Sequence, residues 1–184
     1  EGRTTKYEPR APSPEIMKAS AIKWVWLSIV IMIIDQVTKF YISQQFELYE
    51  SIQVIPGINF TYVHNTGAAF SFLSDAGGWQ RWLFISLSSG ISILLIFWLK
   101  KQPSTGIWLA IALALILGGA VGNLIDRIFL SYVIDFVDVY YDKWHWPVFN
   151  VADSAISIGV VMLIIDSFWF DQASVSTHSG YIKK

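Results

Sequence analysis

Two aspartates, Asp135 and Asp153, stand where long apolar segments meet a polar boundary, in IDRIFLSYVIDFVDVY and WPVFNVADSAISIGVVMLIID. An acidic side chain beside membrane-length apolar sequence is costly and calls for a reason. Two carboxylates at one water-accessible site supply the acid and the base that hydrolysis by activated water requires. The pair therefore points to a membrane-embedded aspartic peptidase. Each residue also has a plainer reading. If Asn150 caps the helix that follows, Asp153 is its third residue and completes a capping box. Asp135 lies in a short strand or loop among Val133, Ile134, Phe136 and Val137. Solvated loop acids are common, but apolar neighbours of this kind raise a carboxyl pKa. Asp126, Asp138 and Asp142 compete for its role, and period two puts Asp135 and Asp138 on opposite strand faces.

Polar residues at helical spacing surround this pair in the sequence. Asn123 and Arg127 are four apart and share a helix face. Arg127 serves a helix C-terminus in any case, or clamps a substrate carbonyl or the aspartates. Asp35 and Lys39, also four apart, read first as an intramembrane ion pair that holds structure. Other chemistries find no support. His64, His145 and His178 are scattered, no HExxH occurs and cysteine is absent, so neither a metal nor another cofactor is expected. No GxSxG elbow or glycine-rich phosphate loop is present. A Ser154–Lys39 nucleophile pair rests only on the position of Ser154 beside Asp153.

The elements that must position these residues are membrane spans. The chain is 54% hydrophobic and 15% charged, with a mean hydropathy of +0.48, well outside the range of a soluble domain. Four stretches, near 22–42, 79–99, 107–125 and 151–170, approach the roughly 20 apolar residues that cross a bilayer. Tryptophans near their ends form an aromatic belt. Basic residues precede the first span (Arg3, Lys6, Arg10, Lys18, Lys23), fill the turn after the second (Lys100, Lys101) and close the chain (Lys183, Lys184). The positive-inside rule then puts both termini in the cytoplasm and segments 43–78 and 126–150, with the acids, outside. The expected class is an all-α membrane protein of four transmembrane helices with a small extracytoplasmic β-sheet. Two β-type runs flank Pro56-Gly57, INFTYVHN alternates, and VIDFVDVY reads as a further strand. Small residues Ala110, Ala114, Gly118 and Gly122 repeat every four positions, with Ala155 and Gly159 as a shorter version on the last span.

The domain then runs over 17–170. Residues 1–16, polar with three prolines, are expected to be disordered, either a native extension or the remnant of a tag, with Met17 as a natural start. Residues 171–184 form a cytoplasmic tail. The first span contains Asp35 and Lys39 and lacks a small-residue cleavage site, so it is not expected to be a removable leader. No basic block with interleaved aromatics indicates nucleic acid.

Five blocks in order, DQVTK at 35–39, NTGAAF at 65–70, GGAVGNLIDR at 118–127, VIDF at 133–136 and FNVADSAI at 149–156, resemble the signature of lipoprotein signal peptidase, the bacterial signal peptidase II family. The resemblance covers about residues 17–170. It implies an aspartic endopeptidase of the bacterial inner membrane that removes the signal peptide of diacylglyceryl-modified prolipoproteins, cutting just before the lipidated cysteine. It implies Asp135 and Asp153 as the catalytic dyad. Asn65, Asn123, Arg127 and Asn150 match polar residues around the site, and Asp35 and Lys39 match the motif on the first helix. No metal is needed, membrane lipid is a partner, globomycin is the expected inhibitor, and a monomer is expected. The alternatives are a small proton- or ion-coupled transporter, whose acids belong at mid-bilayer, and a structural scaffold, which leaves the clustering of polar residues at one end unexplained.

Overall fold

The computed structural model describes residues 20–67, 78–103 and 106–169. Readings that concern residues 1–16, the end of NTGAAF, the SDAGG turn and the tail lie outside these residues. Among these described residues, four helices are long and apolar enough to cross a membrane, and they are joined by one small antiparallel sheet. After a 3-10 turn over Ala21–Trp24, α1 runs Val25–Gln45, α2 Trp79–Lys101, α3 Ile107–Phe129 and α4 Val151–Trp169. The ends of α1, α2 and α3 lie two to four residues beyond the expected limits. On α3 the extension carries the polar turn Asp126-Arg127, which hydropathy excludes but whose hydrogen bonds favour helix. At about 1.5 Å per residue α3 is about 35 Å long, enough to span hydrocarbon.

α3 is the central helix. It packs on the other three, and 61% of its most apolar stretch is buried, against 17–22% in the others. Its small residues explain why. A Cβ on Gly118 would meet the Ser28 carbonyl oxygen of α1 at 2.8 Å, and one on Gly119 would collide with the Ala152 carbonyl oxygen of α4. The α1 contact is tied further by Ser28 Oγ, which donates to the Ala114 carbonyl at 2.8 Å. The stripe brings backbones together where lipid gives no hydrophobic drive for association.

Strands β1 (Ser51–Ile55), β2 (Ile58–Asn65), β3 (Val133–Tyr141) and β4 (Trp144–His145) form one antiparallel sheet in that order. Pro56 and Gly57 make the β1–β2 turn, and Gly57 takes the positive φ of 89° that the second corner of a type II turn requires. β4, two residues long, escaped the sequence reading because it is too short to show a period. Between the Phe60–Val137 and Val63–Asp135 pairs, Thr61 and Tyr62 oppose the single residue Phe136. This bulge redirects the strand just before the site. Tyr62, Ile134 and Phe136 pack on Ile42 of α1, seating the sheet on the end of the bundle.

Beneath the sheet lies a buried ionic cluster. Lys39, 2% exposed, reaches Asp35 Oδ2 at 2.8 Å and Asp126 Oδ2 at 2.9 Å, and donates to Asn123 Oδ1 at 2.8 Å. Its three ammonium hydrogens are thereby matched to three acceptors. Gln36 Nε2 adds a bond to Asp126 Oδ1 at 2.9 Å. The Asp35–Lys39 ion pair is present as expected. Asp126 joins it as a second carboxylate instead of standing free for chemistry.

Two outcomes test this packing. Gly119→Ala should lower the melting temperature in detergent by several degrees, since overpacking a tight contact costs about 1–3 kcal/mol. Gly90→Ala, where no atom lies within 4 Å of the new methyl, should not. Lys39→Met leaves two buried carboxylates without their cation and should destabilise the fold by about 3–5 kcal/mol, read as loss of the monodisperse peak on purification or a large drop in melting temperature.

Candidate active site

Asn150 precedes α4 and caps it. Its Oδ1 accepts from the Asp153 N–H at 2.9 Å, while Asp153 Oδ2 accepts from the Asn150 N–H at 3.2 Å. This is the reciprocal capping box expected from the spacing. The Ala152 N–H, another orphan donor of the first turn, goes to Asp35 Oδ1 at 2.9 Å. The first turn of α4 is thus anchored to the ionic cluster, and Asp153 is fixed at the positive end of the helix dipole. Its other oxygen, Oδ1, accepts from Asn123 Nδ2 at 2.8 Å.

Asp135 reaches the same place from β3. Asn65 Nδ2, at the end of β2, donates to its Oδ2 at 2.9 Å, and Asn150 Nδ2 donates to its Oδ1 at 2.6 Å. Asn150 Nδ2 also lies 3.1 Å from Asn123 Oδ1 and 3.3 Å from the Ile134 carbonyl. One amide therefore touches the setting of both aspartates. Because Lys39 holds Asn123 Oδ1, the amide nitrogen of Asn123 is turned toward Asp153. Asp126 completes the frame by accepting the Ile134 N–H of β3 at 3.1 Å.

Both carboxylates line one cavity of about 710 Å³ at the sheet end of the bundle. Its wall includes Asn65, Asn123 and Arg127 on the polar side, and Val63, Val148, Phe149, Ile156 and Ile158 on the apolar side. Burial pushes the Asp135 carboxyl up to about 7, with the charge of Asp153 adding to the rise and the Asn65 and Asn150 amides and Lys39 opposing it. A carboxyl that titrates near neutrality beside a second carboxylate is equipped to hold and release a proton.

Six of the eight sequence-derived residues meet here: Asp135, Asp153, Asn65, Asn123, Arg127 and Asn150. Asp35 and Lys39 stand behind them. Arg127 does not bridge to either carboxylate. Its Nη2 donates to the Gly67 carbonyl at 3.1 Å and its Nη1 to the Asn123 carbonyl at 3.3 Å, with the guanidinium 5.1 Å from the Phe84 ring centre. Asp138 is buried away from the cavity, accepting from Asn59 at 3.0 Å and pairing with His145 at 2.8 Å. Asp142 occupies the β3–β4 turn at φ 55°. Ser154 spends its hydroxyl on the Asn150 carbonyl at 3.0 Å, and the Lys39 hydrogens are matched elsewhere, so no Ser–Lys pair forms. The sequence reading missed Gln36 in the frame; its place beside Asp35, one turn before Lys39, was the available signal. Among the described residues no group of three or more His, Asp or Glu side chains has the arrangement of a metal site.

Comparison with known proteins agrees in extent as well as kind. The family model described as Signal peptidase (SPase) II matches residues 27–169. The lipoprotein signal peptidase of Shewanella amazonensis is 52% identical over 151 residues, covering 82% of this chain and 90% of that protein. The lipoprotein signal peptidase of Alteromonas mediterranea is 49% identical over 154 residues, 84% of this chain and 85% of its own length. A bacterial membrane enzyme solved by the in meso method at 2.3 Å resolution superposes with a TM-score of 0.71 at 31% identity, over 88% of this chain and 93% of that one. A second such structure, at 1.9 Å, gives 0.70 and 32% over 80% and 93%. With the match running from the first span through both cavity aspartates to the end of the last, the chain belongs to the signal peptidase II family.

Proposed function

We propose that this protein cleaves the signal peptide from diacylglyceryl-modified prolipoproteins just before the lipidated cysteine, using Asp135 and Asp153 as the dyad. The observation that carries this reading is the meeting of two carboxylates, from a strand and from a helix N-terminus, in one cavity where burial and mutual charge drive one of them to about 7. Asp135 holds the dyad's proton at rest and Asp153 acts as base. Asp153 takes a proton from water as its oxygen attacks the scissile carbonyl carbon, and Asp135 gives its proton to the carbonyl oxygen. The resulting gem-diol collapses as the C–N bond breaks. The proton on Asp153 goes to the leaving amine of the cysteine, and one diol proton returns to Asp135. Asn65, Asn123 and Asn150 keep the carboxylates aimed. Arg127, which already binds the backbone carbonyls of Gly67 and Asn123, sets the cavity edge where the peptide lies.

Residues 17–170 form the peptidase domain in this reading, with both termini and the 171–184 tail in the cytoplasm. The membrane is the bacterial inner membrane, and the site opens on its extracytoplasmic side, which the distribution of Lys and Arg supports. The substrate arrives from the lipid, its acyl chains and signal helix against the apolar flank of the spans. Globomycin competes for the cavity, and a single chain holds every group the reaction needs. Ion-coupled transport gains no support, because the paired acids gather at one end of the bundle and are tied into a hydrogen-bonded frame.

Asp135→Asn and Asp153→Asn should each lower cleavage of a diacylglyceryl prolipoprotein in detergent by at least about a thousandfold, in line with loss of an acid–base partner. Asp142→Asn, in a turn whose positive φ asparagine tolerates, should stay within about twofold. Full turnover by either dyad variant would sink the assignment. The pH profile follows in sign. Below about 7 the dyad keeps its proton on Asp135; as pH rises through about 7 that proton leaves and kcat/KM should fall, approaching tenfold per pH unit. A profile that rises across that range would exchange the roles of the two aspartates.

A further inference from the structure

Asp138 lies three residues after Asp135 on β3, on the opposite face, and is the centre of a polar cluster to which every strand contributes. Its Oδ2 accepts from Asn59 Nδ2 of β2 at 3.0 Å and from Thr61 Oγ1 at 3.4 Å. Thr61 is in turn bonded to Ser51 of β1 at 2.7 Å. From β4, His145 Nδ1 stands 2.8 Å from Asp138 Oδ1 and 3.0 Å from Oδ2. A carboxylate only accepts, so Nδ1 is the donor nitrogen of that ring. The imidazole also stacks on Tyr140 of β3, at 5.3 Å between centroids with a 20° interplanar angle. Asp138 is buried, whereas about half of the His145 side chain is exposed. The mechanism uses neither residue.

What His145 anchors is one wall of the cavity. Trp146, Pro147, Val148 and Phe149 run from β4 to the cap of α4, and all four line the cavity. The Trp146 N–H donates to the Val139 carbonyl at 2.8 Å, continuing the β3–β4 register. Alternation then puts the Trp146 side chain on the Asp135 face and His145 on the Asp138 face. Phe149 exchanges two backbone bonds with Val137, at 2.8 and 3.0 Å. Between these attachments Pro147 and Val148 both stand opposite Asp138, and Pro147 has no N–H to give. The strap thus bulges out of backbone pairing where it borders the cavity. The His145–Asp138 bond ties it down immediately before that bulge, while the Phe149–Val137 pair and the Asn150 cap hold the start of α4 separately.

We propose that His145 is a positioning residue: its bond to Asp138 fixes the 146–148 strap as the apolar wall against which the bound substrate chain lies. It rests on the reading of this cavity as the peptidase site. A wall held in place before binding loses little entropy on contact. Asp135 and Asp153 keep their own bonds to Asn65, Asn123 and Asn150 when the strap loosens. Ground and transition states are then weakened alike, so KM rises and kcat is spared. Two substitutions separate the bond from the packing. His145→Phe preserves the stack on Tyr140 and removes the donor. His145→Asn keeps an amide nitrogen close to the position of Nδ1 and removes the ring.

The test combines cleavage of a diacylglyceryl prolipoprotein over a range of concentrations with a melting curve and amide deuterium exchange across residues 144–149. His145→Phe should melt like the wild type, because the half-exposed ring contributes little to the core. Its 144–149 amides should exchange at least about threefold faster, a local opening rather than a global one. KM should rise about three- to tenfold, the worth of one hydrogen bond, with kcat within about twofold. His145→Asn should bring both exchange and KM back toward the wild type. Unchanged exchange or unchanged KM in His145→Phe, with wild-type cleavage normal, overturns the role of His145 and leaves the dyad standing. A KM raised equally in His145→Asn overturns it too, since the lost ring and not the bond would be the cause. Wild-type protein that cleaves nothing removes the dyad reading and this one together.

Discussion

The ammonium of Lys39 is the interaction on which the rest of the structure depends. A cation sealed among helices would be prohibitive without partners. Here it has as many acceptors as hydrogens, and each acceptor belongs to a different part of the machinery. Asp35 continues to the first turn of α4 through the Ala152 N–H, and Asp126 continues to β3 through the Ile134 N–H. Asn123 continues to Asp153. The cluster is thus a junction at which α1, α3, α4 and the sheet share one electrostatic centre, and both cavity aspartates lie one or two bonds away from it.

The small-residue stripe of α3 exists in the service of that junction. Gly122 abuts Asp35 so closely that an added Cβ would lie 2.6 Å from its carboxylate oxygen, and Gly118 and Gly119 let α1 and α4 approach on either side. With larger residues the helices would stand apart and the ion pairs would lengthen. Packing and electrostatics are therefore one constraint: glycine supplies the distance and the charges supply the reason to hold it. This also explains why α3 is the most buried helix although the neighbouring spans are hardly less apolar.

Much of this was legible in the sequence, for identifiable reasons. Span length and the Asn150–Asp153 spacing are local signals, and the helices and the capping box followed from them. The i, i+4 pair Asp35–Lys39 is local too. What remained open depended on contacts between distant segments. Asp126, Asp135 and Asp138 look alike along the chain, all near apolar residues on one side of the membrane. Only tertiary placement turns Asp126 to Lys39, Asp138 to Asn59 and His145, and Asp135 into the cavity. β4 and the bulge at Thr61–Tyr62 were invisible because pairing, not propensity, creates them. Arg127 was expected near the aspartates, yet it spends its donors on backbone carbonyls. The helix that carries it fixes its distance, while the Gly67 loop determines what it binds.

Asn150 has a mechanical side. It is the last residue before α4, and its amide is bonded to Asp135 while its backbone and Oδ1 are bonded to Asp153. Sheet and bundle are therefore welded at the point where the two carboxylates meet. Rocking of the sheet would pivot about that weld, with β1 at the far edge travelling farthest and the two carboxylates hardly at all. The fold would act as a lever with its fulcrum at the paired carboxylates, so that the outer strands can adjust to a bulky chain without changing the gap between Asp135 and Asp153.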